Sequence, residues 1–197
     1  MNDRRGAPSR IRNLALPERT SSLGMSVRAA ERELDEVTYK GRLMDITYAD
    51  THRFPPPSWV LPDFTAAASG GGMTYTPYRG DPTVRSAVAE SVSAFLGVEV
   101  DPDTELILTP GSQAALFLGL SAVVEAGDVV ALADPDYISD ERIIRFLGAH
   151  VTPVPLAWDV TDREPGLDLD VLETAFNAGA TTLLFSNPNN PTGAVLG

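Results

Sequence analysis

The chain has 197 residues, with 27 acidic against 15 basic side chains and a formal net charge of −12, which argues against a nucleic-acid or anionic-membrane partner, since both need a basic surface. Hydrophobic residues make up 43% and charged residues 21%, a balance that supports a packed core and excludes a disordered chain. There is no cysteine, so disulfides and thiolate metal sites are excluded and a cytoplasmic setting is the expectation.

No apolar run approaches the about 20 residues of a membrane helix, and the two histidines, His52 and His150, lie too far apart in sequence to show metal-ligand spacing. The first 22 residues are rich in arginine and read as a mobile arm; no apolar signal core follows them. Residues 23–37 place Met25, Ala29, Ala30, Leu34 and Val37 near helical spacing, which predicts a helix. Residues 43–80 read as a long irregular stretch, because Pro55-Pro56-Pro57 and Gly70-Gly71-Gly72 interrupt any regular element.

From Asp81 the rhythm becomes regular. Asp81 is placed to cap a helix with Pro82 at its first position, Val84 to Leu96 supply an apolar face, and Gly97 is a natural stop. Strands are expected at 105–108, 129–133, 151–154 and 182–185, and helices at 113–125, 139–147 and 170–178. Such alternation predicts an α/β domain of three layers, with a mostly parallel sheet and helices on both faces. Ligands of these sheets sit beyond the carboxyl ends of the strands, so the turns leaving strand ends are where chemistry is sought.

Three turns qualify. Thr109-Pro110-Gly111-Ser112-Gln113 runs from a strand into a helix start. Free N–H groups and a serine hydroxyl there suit a phosphate, and simple capping by Ser112 fits as well. Asp134-Pro135-Asp136-Tyr137 puts Tyr137 where its ring could lie against a planar ligand or pack at a helix start. Asn187-Pro188-Asn189-Asn190-Pro191-Thr192-Gly193 offers side-chain amides to a ligand oxygen, and also has the composition of an ordinary turn. Neither a dinucleotide fingerprint nor a P-loop is present.

Together and in this order, with Tyr75-Thr76-Pro77-Tyr78-Arg79-Gly80 before them, these stretches resemble fold type I enzymes that use pyridoxal 5′-phosphate (PLP), and most of all the class I and II aminotransferases. The resemblance covers roughly residues 42–197. It implies that Ser112 and Gln113 hold the cofactor phosphate, that Tyr137 stacks on the pyridine ring, and that Asn190 hydrogen-bonds the phenolic oxygen. It implies further that Tyr75 reaches the phosphate bound in the partner subunit of a homodimer. The bonds Asp134–Pro135 and Asn190–Pro191 are expected to be cis, as in some members of that family. The implied organisation is an arm over 1–22, the beginning of a small domain over 23–48, and the first part of the cofactor domain over 49–197.

Three family features have no counterpart here: the Schiff-base lysine, the aspartate paired with the pyridine nitrogen, and the arginine that grips the substrate carboxylate. Lys40 is the only lysine and stands in no matching context. Residues 48–55 also lack the glycine that the family usually carries near its substrate, although Arg53 is there to meet an acidic group. The resemblance therefore implies the N-terminal portion of an enzyme that exchanges an amino group between an amino acid and a 2-oxo acid, without catalysis by these residues alone. A lyase, oxidase or synthase on the same scaffold, or an inactive fragment, is the alternative.

Overall fold

The computed structural model describes residues 9–14, 41, 54–71, 74–158 and 164–197. The helix expected over 23–37, Lys40 and residues 48–53 lie outside the described residues. The chain divides into two compact units, Met1–Pro17 with Leu108–Gly197, and Glu18–Ile107.

The Glu18–Ile107 unit contains helices α2 (Val60–Ser69) and α3 (Pro82–Leu96). Helix α3 starts and stops where its sequence directs. Asp81 Oδ1 accepts from the N–H groups of Thr83 and Val84 at 2.9 and 3.2 Å, Pro82 opens the helix, and Gly97 ends it at φ 70°. Arg85 is drawn inward from α3: its guanidinium donates to Pro102 O and to Asp103 Oδ1, both at 3.0 Å. Helix α2 falls in the stretch expected to be irregular. Its one proline, Pro62, sits in the first turn, where no N–H is needed, and Asp63 favours the same end. The flanking proline and glycine triplets obscured it.

The other unit holds a four-stranded sheet in the order β3-β2-β1-β4, formed by β1 (Val129–Asp134), β2 (His150–Ala157), β3 (Gly166–Leu167) and β4 (Thr182–Leu184). Strand β1 pairs in parallel with β2, Val129 opposite His150, and with β4, Val130 opposite Thr182. The short β3 adds an antiparallel edge. Helices α4 (Ser112–Val123), α5 (Ile138–Leu147) and α6 (Leu169–Asn177) belong to the same unit.

Both faces of β1 are covered, which is why its sequence is an unbroken apolar run rather than an alternating one. On one face Val130 and Leu132 pack with Leu120 and Val124 of the α4 segment and with Ile143 and Ile144 of α5. On the other, Ala131 meets Val154, Ala175 and Ala180 under α6. Ile144, Val130 and Val154 are completely buried, each such burial stabilising by about 1.5–3 kcal/mol. The expected three-layer α/β arrangement is the one observed.

Two further local expectations differ. Residues 105–108 join no ladder among the described residues; apolar, strand-favouring residues form a strand only where another strand lies alongside. Within the arm, Ser9–Asn13 form a short helix, α1, against α5. Arg10 there lies 6.0 Å from the centroid of the Phe146 ring, whose edge contact with Phe117 spans 5.9 Å.

Candidate cofactor site

Strands β1 and β4 are parallel neighbours, so their carboxyl ends open onto the same edge of the sheet. The exit from β1 carries Asp136 and then Tyr137, which is the N-cap residue of α5. The exit from β4 carries Ser186 and the asparagine–proline turn. The peptide bonds Asp134–Pro135 and Asn190–Pro191 are cis, as expected, and so is Asn187–Pro188.

The two exits are joined by one carboxylate. Asp136 accepts from the Ser186 N–H at 2.9 Å, from the Ser186 hydroxyl at 2.6 Å and from the Tyr137 N–H at 2.7 Å. The Ser186 oxygen in turn accepts from the Asn190 N–H at 2.9 Å and from Asn189 Nδ2 at 3.3 Å. Asn189 is 4% exposed and fully engaged. Its amide donates to Pro135 O at 3.2 Å, while its Oδ1 accepts from the Thr192 hydroxyl at 2.7 Å and the Thr192 N–H at 3.2 Å. Asn187 closes the outer end, exchanging two hydrogen bonds with the backbone of Leu196. Asn190 itself is exposed, and its side-chain amide has no partner among the described residues.

The start of α4 supplies the third component. Gly111, not Ser112, is the N-cap residue, and no side chain caps the helix. Gly111 adopts φ 84° and ψ 163°, a conformation open to glycine alone. Ser112 is the first helical residue, so its hydroxyl and the first N–H groups of α4 stay open to a ligand. Capping by Ser112, one of the two readings open from sequence, does not occur. The turn connects to the others through Tyr137, whose hydroxyl lies 3.3 Å from Gln113 Oε1. Ser112, Gln113, Tyr137 and Asn190 therefore belong to three turns linked by hydrogen bonds. Tyr75 lies in the other unit, fully exposed.

Asp136, Ser186 and Asn189 were not singled out from sequence. The signal for Asp136 was a second acid in Asp134-Pro135-Asp136, standing beside a helix start. Asn189 could not be told from Asn187 or Asn190 by residue type. Below them, Asp140 is 2% exposed and its Oδ1 has no hydrogen-bond partner. Burial, and then the nearby negative charge of Asp136, raise its carboxyl to about 6. No cluster of three metal-binding side chains occurs among the described residues, nor any helix long and apolar enough to cross a membrane.

The donor set fits a phosphorylated planar ring: an uncapped helix start for the phosphate, an aromatic side chain one turn away, and a free amide on the adjoining wall. The model of the aminotransferase class I and II family matches residues 45–197. The chain belongs to this family. An aspartate aminotransferase from Rhodobacter sphaeroides is 39% identical, with a TM-score of 0.74 over 86% of this chain and 46% of that one. A probable N-succinyldiaminopimelate aminotransferase from Mycobacterium tuberculosis is 37% identical over 66% of this chain and 32% of its own length. A probable aspartate/prephenate aminotransferase from Thermus aquaticus is 30% identical over 97% of this chain and 47% of its own. The chain thus spans less than half the length of these aminotransferases, and its linked turns lie within the residues that the family model matches.

Proposed function

We propose that the protein containing this chain is a PLP-dependent aminotransferase, moving an amino group between an amino acid and a 2-oxo acid as a homodimer in the cytoplasm. The observation that carries this reading is the hydrogen-bonded union of three turns, from Gln113 through Tyr137 and Asp136 to Ser186 and Asn190. They converge at the sheet edge where α/β folds bind ligands.

In this reading the N–H groups of Ser112 and Gln113, with the Ser112 hydroxyl, hold the phosphate at the positive end of α4. The Tyr137 ring lies against the pyridine ring and fixes its orientation. The Asn190 amide donates to the phenolic oxygen and favours its ionised form. Tyr75 serves the phosphate of the partner subunit. When bound, the cofactor supplies an electron sink for the substrate carbon that loses its proton. These residues bind and orient; the chain's one lysine, Lys40, stands outside the motifs that make the site. The 197 residues by themselves are accordingly expected to be inactive.

Equilibrium dialysis of the full-length protein against PLP and against pyridoxal tests the reading. Loss of the phosphate contacts is expected to weaken pyridoxal binding about 100-fold, as charge-assisted hydrogen bonds at a helix start would require. Equal affinity for the two compounds would overturn the phosphate assignment.

A further inference from the structure

Asp136 and Ser186 stand fifty residues apart in sequence, yet they share two hydrogen bonds. A carboxylate offers about four acceptor positions. Here three are taken by the Tyr137 N–H, the Ser186 N–H and the Ser186 hydroxyl. The serine is equally committed: its proton goes to Asp136, and its lone pairs receive the Asn190 N–H and the Asn189 amide. The backbone nitrogens of Tyr137 and Asn190 are therefore tied through one carboxylate and one hydroxyl. Hydrogen bonds to an ionised group are short and strong, and these are half-buried.

No hydrogen bond runs from Asp136 or Ser186 to the start of α4 among the described residues. Among the described residues the hydrogen bond to that start is between side chains, Tyr137 Oη to Gln113 Oε1. The groups suited to a ring are thus locked to each other, while the groups suited to a phosphate are seated separately on α4.

We propose that Asp136 and Ser186 form a positioning clamp that sets the spacing between the Tyr137 ring and the Asn190 amide, and so governs how tightly the cofactor ring, but not its phosphate, is held. The clamp rests on the reading of the site as a PLP site. It predicts a split that general loosening would not produce: affinity for the whole cofactor falls, while affinity for inorganic phosphate does not.

The test uses the full-length protein and the variants Ser186→Ala, Ser186→Thr, Asp136→Asn and the double Asp136→Asn/Ser186→Ala. PLP affinity is measured by equilibrium dialysis, and inorganic phosphate by its competition with PLP. Ser186→Ala and Asp136→Asn are each expected to weaken PLP about tenfold, the scale of one hydrogen bond to a charged group. The phosphate constant should stay within about twofold, and Ser186→Thr, which keeps the hydroxyl, should recover most of the loss. The double variant should bind no worse than the weaker single variant, because both substitutions open the same clamp. Unchanged PLP affinity in the single variants, a parallel loss of PLP and phosphate, or an additive double variant would each overturn the clamp. Should Asp136→Asn not fold, the contrast between Ser186→Ala and Ser186→Thr decides it. Failure of the unaltered protein to bind PLP would overturn both the clamp and the PLP reading, whereas binding with no loss in Ser186→Ala overturns the clamp alone.

Discussion

The turn after β4 and the turn before α4 both border the candidate site, and they treat their polar groups in opposite ways. After β4, Asn189 is buried with its amide and its carbonyl oxygen both engaged, Ser186 is saturated, and Asn187 is bonded twice to Leu196. Before α4, Ser112 caps nothing and the helix start is left without a side-chain cap. A turn that satisfies itself is scaffold, and a turn with open donors is a receptor. The same division separates two adjacent residues, Asn189 holding the wall and Asn190 facing out from it.

Substitutions can break this contrast, beginning with the largest expected effect. Asn189→Ala would strand Pro135 O and both Thr192 groups, at about 1–3 kcal/mol for each buried group left unpaired. A loss near 3 kcal/mol is expected, seen as a fall in Tm of about 6–12 °C for a chain of this size. An unchanged melt would mean that the turn is not scaffold. Gly111→Ala comes next. No atom obstructs a Cβ there, so the cost is the backbone conformation alone, about 1–3 kcal/mol. Because the strain falls on the open turn, PLP affinity should drop more than the melting temperature suggests.

Asp140→Asn tests the electrostatics beneath the clamp. In the unfolded chain this carboxyl ionises near its ordinary value of 3.8, and in the folded protein it holds its proton to about 6. The folded state therefore loses stability as pH rises between these values, and the deficit persists above them. Asp140→Asn should match the unaltered protein below about pH 4 and melt a few degrees higher above about pH 6. A gain that is constant with pH would contradict the assignment. The smallest stability effect belongs to Asn190→Ala, within about 0.5 kcal/mol because the side chain is exposed. Its PLP affinity should nonetheless fall, and a melt disturbed as much as that of Asn189→Ala would erase the distinction between the two asparagines.

Much of the fold was legible in the sequence because local chemistry and tertiary position agreed. Asp81, Pro82 and Gly97 bounded α3 where their backbone preferences required, and the apolar run of β1 announced a strand covered on both faces. The strand expected at 105–108 failed because a strand depends on a neighbour that sequence periodicity does not specify. Helix α2 was hidden because the proline and glycine triplets that flank it read as breakers of the whole stretch, whereas they only bound the helix between them. At the site, the open groups on Ser112, Tyr137 and Asn190 were legible as types suited to a ligand. The supporting Asp136, Ser186 and Asn189 were not, since their roles arise from hydrogen bonds across about fifty residues of chain.

In the proposed reading these three turns make one PLP site. A crystal structure of the full-length protein with PLP tests it most directly. The phosphate is expected about 3 Å from the N–H groups of Ser112 and Gln113, the ring against Tyr137, and the phenolic oxygen bonded to the Asn190 amide. A cofactor bound with its phosphate away from the start of α4, or with Asn190 turned from its ring, would contradict it.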